Sequence, residues 1–460
     1  MADLSQIIKA YDVRGLVGEQ MTEDLARAVG VAFVQVVCAE TGADAIVVGK
    51  DMRPSSPSLS RAFSEGVASQ GVSVTDIGLA STDQLYFASG SLDRPGAMFT
   101  ASHNPAAYNG IKLCRPGAAP VGQDTGLRRV SELTSQYLDE GLPPAVATPG
   151  TIEERDLLQD YAAYMHQLVP LAAARPLKVV VDAGNGMAGH TVPVVFGSLP
   201  FEVVPLYFEL DGNFPNHEAN PLEPANVADL QKAVLEHGAD IGLAFDGDAD
   251  RCFVVDERGE IVSPSAITGL VAVRELRREP GAAVIHNLIT SRAVPEIITE
   301  HGGRPVRSRV GHSFIKGDMA EHGAIFGGEH SGHFYFRDFW KADSGMLAAL
   351  HTLAALAEAP AGTPLSGLLS AYTRYVASGE INSRVADPRE RSAAVEEAFG
   401  SRDGVVVDHL DGLTVTHPDW WFNLRPSNTE PFLRLNAEAA DVPAMEALRD
   451  EVLAIVRAQS

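Results

Sequence analysis

Six residues, Asp246-Gly247-Asp248-Ala249-Asp250-Arg251, constrain this chain more than any other stretch. They lie between two apolar runs that read as strands, Ile241 to Phe245 and Cys252 to Val255. Three carboxylates at alternate positions in so tight a loop repel one another unless a cation joins them. Their oxygens suit one hard divalent ion, and three ligands leave positions open for phosphate or water, which favours magnesium. A solvated acidic turn is the alternative. An EF-hand is excluded: Glu257 falls at the twelfth position, but Arg251 stands where that loop needs glycine, and the flanks read as strands.

A second stretch, Thr100-Ala101-Ser102-His103-Asn104-Pro105, follows the apolar run Gly96 to Phe99. That run reads as a strand carrying the hydroxyl of Ser102 to a sharp turn, with Pro105 biasing Asn104 away from helix. Tyr108-Asn109-Gly110-Ile111-Lys112-Leu113 is then a turn and strand that brings Lys112 back beside Ser102. A serine at a strand end between His103 and a returning lysine is a candidate covalent nucleophile. A hydrogen-bonded turn with a satisfied histidine is the plainer alternative.

Three further loops stand out. Gly184-Asn185-Gly186-Met187-Ala188-Gly189 matches a dinucleotide fingerprint after a strand, and Asp211 lies at a suitable distance for the acid of that motif. Asp211, however, sits in the polar turn Asp211 to Asn216, and a tight strand-to-helix turn is the favoured reading. Gly328-Glu329-His330-Ser331-Gly332-His333 sets a carboxylate, a hydroxyl and imidazoles between glycines, which suits vicinal hydroxyls. Arg425-Pro426-Ser427-Asn428-Thr429-Glu430-Pro431 offers a guanidinium and short polar side chains that match a phosphate dianion. Together the loops supply a nucleophile, a metal, a hydroxyl reader and a phosphate clamp. They imply phosphoryl transfer on a phosphorylated polyol. No P-loop is present to indicate a nucleotide donor.

With 460 residues the chain exceeds one ordinary core, and strand and helix signals alternate along it. Helices are expected from about Thr22 to Glu40, Ser58 to Ser69, Asp156 to Leu168, Arg292 to Glu300, Ser313 to Glu321, Ser344 to Ala359 and Val442 to Ala458. Strands are expected at Ala45 to Val48, Val72 to Ile77, Lys178 to Asp182, Ala283 to His286, Arg304 to Arg307 and Ala324 to Phe326. Boundaries divide the chain into 1–150, 151–256, 257–370 and 371–460. The net charge of −24 repels polyanions, so neither nucleic acid nor an acidic membrane is an expected partner. Three cysteines without C-x-x-C spacing, and no signal peptide pattern, point to the cytoplasm.

Tyr11 to Gly15, Thr100 to Pro105, Asp246 to Arg251, Gly328 to His333 and Arg425 to Pro431 together resemble the α-D-phosphohexomutases. The likeness is to their bacterial phosphomannomutase/phosphoglucomutase branch, and it spans nearly the whole chain in order. It implies an α/β fold of four domains around a central cleft: three related α/β domains with mixed sheets and a C-terminal α+β domain. It implies a mutase that interconverts hexose 1- and 6-phosphates of mannose or glucose through a phosphoserine and a 1,6-bisphosphate. In that reading Ser102 is the phosphoserine, and Mg²⁺ bridges its phosphate and Asp246, Asp248 and Asp250. Arg14, His103, Lys112 and Arg251 surround the transferring group, with Lys112 as general acid/base and His333 as a further acid/base candidate. Glu329 and Ser331 hold sugar hydroxyls, His312 lies in the cleft, and Arg425, Ser427, Asn428 and Thr429 bind the unreacting phosphate. A hexose 1,6-bisphosphate is the expected activator, and a monomer or weak homodimer the expected state. His330 stands where relatives vary and bears on substrate preference. The rival readings are a metal-dependent phosphatase, an NAD-dependent oxidoreductase on Gly184 to Gly189, and a sugar-phosphate-binding protein without activity.

Overall fold

A computed structural model describes residues 4, 7, 8, 12–427 and 432–458, all but the side chain of His312 among them. The described residues form four sheets, one per unit. The first is built from Asp12–Leu16 (β1), Ala45–Lys50 (β2), Ser73–Leu79 (β3), Gly96–Phe99 (β4), Tyr108–Arg115 (β5), Ala119–Pro120 (β6) and Ile152–Glu154 (β7). Its order is β1-β5-β4-β2-β3-β7, with β6 on β5. The second, from Leu177–Asp182 (β8), Phe201–Leu206 (β9), Ile241–Phe245 (β10), Cys252–Asp256 (β11) and Ile261–Val262 (β12), orders as β12-β11-β10-β8-β9. The third takes Ala283–Asn287 (β13), Arg304–Ser308 (β14), Phe326–Gly328 (β15), Phe334–Phe336 (β16) and Ala342–Asp343 (β17) in the order β14-β13-β15-β16-β17.

These three sheets share a plan. Parallel strands (β4 on β2, β10 on β8, β15 on β13) are followed at once by an antiparallel partner: β5, β11 and β16. The central strands are apolar runs buried on both faces, as parallel strands covered by helices must be. The loop at each parallel-to-antiparallel switch is one of the candidate loops read from the sequence: Thr100 to Pro105, Asp246 to Arg251 and Gly328 to His333. The fourth sheet is wholly antiparallel, β18-β22-β21-β20-β19, from Val376–Arg384 (β18), Val406–Asp408 (β19), Leu413–Thr416 (β20), Trp420–Pro426 (β21) and Phe432–Ala439 (β22).

Sheet pairing runs past two of the expected boundaries. Residues 152–154 add β7 to the open parallel edge of β3, beyond position 150. Beyond position 256, β12 pairs with β11, so the turn Asp256 to Gly259 is a hairpin inside the second sheet. The strand expected at Ala324 to Phe326 is shifted to Phe326–Gly328. Gly323, left-handed at the helix end, delays its start, and Gly328 lets the strand lie against Thr268, 2.4 Å from where a Cβ would stand. The long first helix is α-helical over Glu23–Phe33, capped by Thr22, and continues as a π turn over Val34–Cys38.

One continuous apolar core joins the first three units, from Leu85 and Phe87 through Tyr161 and Phe245 to Phe334 and Leu347. The fourth unit has its own core around Phe399, Phe422 and Val452. It attaches through polar contacts: Ser291 Oγ donates to Glu438 Oε1 at 2.6 Å, and Arg307 pairs with Asp408 at 2.6 Å. No helix among the described residues is long and apolar enough to cross a membrane.

The three-unit core closes on Asp83, in the first turn of the helix Thr82–Leu92. This buried carboxylate accepts from Ser81 of its own unit, from Tyr161 Oη of the second at 2.8 Å, and from Ser344 Oγ of the third at 2.7 Å. Burial pushes its pKa up to about 6, against the pull of those hydroxyls. Between the unfolded value of about 3.9 and that of the folded state, the native chain binds a proton the unfolded chain gives up. The contribution of this group is therefore full below about pH 4 and is lost as pH rises through 6. Asp83→Asn is expected to remove that slope. Urea unfolding of the wild type should lose about 3 kcal/mol more than the variant between pH 4 and pH 7; equal slopes would contradict the assignment.

Candidate active site

Ser102 sits at the β4–β5 switch with φ +50, a left-handed conformation that non-glycine residues seldom adopt and that turns its hydroxyl out of the strand. Its Oγ donates to Asp246 Oδ2 at 2.8 Å, across from the first unit to the second. Arg251 binds the same carboxylate through Nε at 2.9 Å and Nη2 at 2.8 Å, and its Nη2 reaches Ser102 Oγ at 3.3 Å. The Ser102 loop and the acid loop touch backbone to backbone. A Cβ on Gly247 would stand 2.4 Å from the carbonyl oxygen of Ser102, so only glycine allows the approach.

His103 Nδ1 accepts from Arg251 Nη2 and lies 3.2 Å from Ser102 Oγ. Burial, with Arg251 and Arg14 beside it, drives its pKa down to about 2. It is a neutral imidazole. Lys112 on β5 returns to the site as expected, and its Nζ lies 2.7 Å from Asp248 Oδ2 and 2.6 Å from Asp250 Oδ2. Burial alone would lower its pKa; the two carboxylates more than reverse this and hold it above the ordinary lysine range. Arg14 on β1 donates to Asn104 Oδ1 at 2.9 Å and pairs with Asp12 at 2.6 Å, which fixes it against the Ser102 loop.

The three carboxylates are buried, with one oxygen from each within 4.8 Å of the others. Burial pushes the pKa of Asp246 up to about 8, with Asp250 and Asp248 repelling it and Arg251 opposing. Asp248 goes the other way: burial would raise its pKa, but Lys112 and Thr82 hold it well below the usual carboxylate range. Asp248 Oδ1 and Asp250 Oδ1 are buried without a hydrogen-bond partner. Two orphaned anionic oxygens beside a third carboxylate are the donor set a hard divalent cation takes, so these residues fit such an ion.

The third-unit loop meets this centre. His333 Nε2 lies 4.0 Å from Asp250 Oδ1, and its Nδ1 lies 3.0 Å from Ser331 Oγ. Glu329 is buried, held by Tyr335 Oη at 2.6 Å and by the backbone N–H of Gly311 at 3.2 Å. On the far side of the loop, His330 has Glu380 and Arg425 as charged neighbours, and burial lowers its pKa. Arg425 stands on β21 directly across from Arg434 on β22, with Glu380 between them at 3.3 Å from each. Arg434 also reaches Ser427 Oγ at 3.4 Å. Asn428, Thr429 and the side chain of His312 lie outside the described residues.

All four units match domain families of known proteins. Models of phosphoglucomutase/phosphomannomutase α/β/α domains I, II and III match residues 5–137, 159–259 and 263–375, and the model of their C-terminal domain matches 380–455. The chain belongs to this family. It is a phosphohexomutase. It is 42% identical over 458 residues to a phosphomannomutase of Escherichia coli K12, covering 97% of this chain and 98% of that protein. A protein of Xanthomonas campestris described as phosphohexose mutases is 40% identical over 452 residues, covering 98% of each. A crystal structure of a phosphoglucomutase/phosphomannomutase family protein from Burkholderia thailandensis superposes with a TM-score of 0.88 at 34% identity, covering 99% of this chain and 98% of the other.

For a phosphohexomutase, the glycine-rich turn Gly184 to Gly189 has a supporting part. The N–H of Met187 donates to the carbonyl of Gly247 at 2.9 Å, and a Cβ on Gly186 would stand 2.7 Å from that oxygen. Asp211 accepts from the N–H of Asn213 at 2.9 Å and caps its own turn. Arg434 is one residue the sequence reading passed over. Arg53 is another: the loop Gly49 to Arg53 reads as an ordinary polar turn, yet Arg53 is fully buried over the ring of Phe214. Its guanidinium donates to the carbonyls of Ser102, Asn104, Pro105 and Tyr108 at 2.7–3.0 Å and pairs with Asp51 at 3.2 Å. This side chain gathers four carbonyls of the strained Ser102 turn. Arg53→Met strands Asp51 as a buried charge and leaves four carbonyls without their donor, a loss of about 3–5 kcal/mol by the cost of breaking buried pairs. We expect a lower urea midpoint and new protease cleavage between 102 and 108; unchanged resistance would contradict the clamp.

Proposed function

We propose that the protein interconverts hexose 1-phosphates and hexose 6-phosphates by passing a phosphoryl group through Ser102. The observation that carries this is the 2.8 Å bond between Ser102 Oγ and Asp246, which puts the hydroxyl on the rim of a buried carboxylate site built to take a cation. Phosphoserine carries about −1.5 to −2 charges. Asp246, Asp248 and Asp250 would hold a Mg²⁺ ion, which would supply charge neutralisation for the transfer. Arg251 and Arg14 add fixed positive charge, and neutral His103 donates from Nε2 without competing as a base.

In each half-reaction the bond from phosphorus to Ser102 Oγ breaks or forms against a sugar hydroxyl. When the Ser102 bond breaks, Lys112 would give its proton to Ser102 Oγ while His333, beside Asp250, takes the proton of the sugar hydroxyl. In the second half-reaction His333 would return its proton to the departing sugar oxygen and Lys112 recover one from Ser102. Glu329 and Ser331 would read the 3- and 4-hydroxyls, and Arg425, Ser427, Asn428 and Thr429 the phosphate at the other end of the sugar, with Arg434 beside them. The reading includes a hexose 1,6-bisphosphate as activator, since it leaves Ser102 phosphorylated. It also includes a cytoplasmic location, which three buried, unpaired cysteines suit, and a monomer or weak homodimer.

Ser102→Ala should abolish most turnover together with the fraction of chains heavier by one phosphoryl group in intact mass spectra. Full activity in that variant would sink the covalent mechanism. A strong chelator should stop turnover and Mg²⁺ should restore it. A loop that reads the 3- and 4-hydroxyls is indifferent to carbon 2, so mannose 1-phosphate and glucose 1-phosphate should be used within about tenfold of each other, 1.4 kcal/mol. Arg425→Ala should raise KM for both alike. A preference above about a thousandfold, removed by His330→Ala, would show that carbon 2 is read.

A further inference from the structure

The helix Thr82–Leu92 enters the site from behind the acid loop, and its first residue makes two contacts with one aspartate. The N–H of Thr82 donates to the carbonyl of Asp248 at 2.9 Å, and its Oγ1 donates to Asp248 Oδ2 at 2.6 Å. Thr82 is fully buried, and its neighbours fasten it: Ser81 caps the helix by accepting from the N–H of Gln84, and Asp83 ties the turn to Tyr161 and Ser344. We propose that Thr82 is a positioning residue, fixing the carboxylate of Asp248 so that its second oxygen is presented to the divalent cation. The inference rests on the metal reading given above.

Asp248 Oδ2 accepts from two donors, Thr82 Oγ1 and Lys112 Nζ, while Oδ1 is buried with none. A carboxylate pinned by one oxygen cannot turn about its terminal bond without breaking both contacts, so the free oxygen keeps one direction. The two donors are not equivalent. Lys112 belongs to the reacting set and must change partners as protons move. The hydroxyl of Thr82 has no such duty, is shielded from solvent, and comes from a helix anchored in three units. It is the hold that persists when the lysine lets go. Residues that orient metal ligands through such hydrogen bonds typically change metal affinity 10–100-fold when lost.

The test is direct binding of Mn²⁺ to purified full-length protein, with free ion counted by electron paramagnetic resonance, beside the Mg²⁺ dependence of turnover. Thr82→Val keeps the shape and removes the hydroxyl, Thr82→Ala removes it without bulk at the helix start, and Thr82→Ser keeps it. Both hydroxyl-free variants should raise the Mn²⁺ dissociation constant about 10–100-fold and shift the Mg²⁺ requirement by a similar factor, with turnover recovering at saturating Mg²⁺. Thr82→Ser should recover most of the affinity, which a purely packing role would not produce. The proposal is overturned if either folded hydroxyl-free variant binds Mn²⁺ like the wild type while Asp248→Asn does not. If Asp248→Asn also binds normally, the metal reading itself has failed.

Discussion

Three carboxylates buried in one six-residue loop are the constraint on which the rest of this structure depends. Buried and close together, they disfavour being ionised all at once: burial, with Asp250 and Asp248 beside it, raises the pKa of Asp246. Each is met by a donor: Arg251 of the same loop and the Ser102 hydroxyl at Asp246, Thr82 and Lys112 at Asp248, and Lys112 again at Asp250. Those donors come from two units, and His333 of a third stands beside Asp250. Satisfying the loop therefore requires the first three units to be locked together, which the common apolar core and Asp83 accomplish. Two oxygens are still left over, and the site's chemistry begins with them.

The arrangement is economical because the three units use one plan. In each, a buried parallel strand ends and an antiparallel strand begins, and the loop at that switch carries residues of the candidate site: Ser102 after β4, the three aspartates after β10, Glu329 to His333 after β15. At the ends of these strands, side chains from neighbouring units converge: Ser102 on Asp246, and His333 beside Asp250. The fourth unit differs in sheet and in attachment. Its polar seam with the third unit is the kind of interface that permits movement, and it carries the paired guanidiniums of Arg425 and Arg434.

Much of this was legible in the sequence. Alternating strand and helix signals pointed to the α/β class, and the candidate site residues stood out as short polar loops where apolar runs stop. What stayed hidden shares a physical cause: the partners lie far apart in the chain. Arg53 reads as one polar residue in a polar loop, and only folding brings it under the four carbonyls of the Ser102 turn. An arginine in a tight turn after a buried strand, two residues beyond an aspartate, was the available signal. The helix Thr82–Leu92 escaped because Thr82 to Ser89 is buried all round, so no amphipathic stripe marks it. Gly186 imitated a cofactor motif because close backbone approach, here to Gly247, asks for the same glycines.

The central claim is that one phosphoryl group moves between Ser102 and the sugar without passing to water. It is tested most directly by loading Ser102 with radiolabelled phosphate and adding a single equivalent of unlabelled hexose 1-phosphate in one turnover. The account predicts that the label leaves the protein into a hexose 1,6-bisphosphate and then into hexose 6-phosphate, one label per chain. Label released as inorganic phosphate, or retained on the protein while product forms, would contradict it.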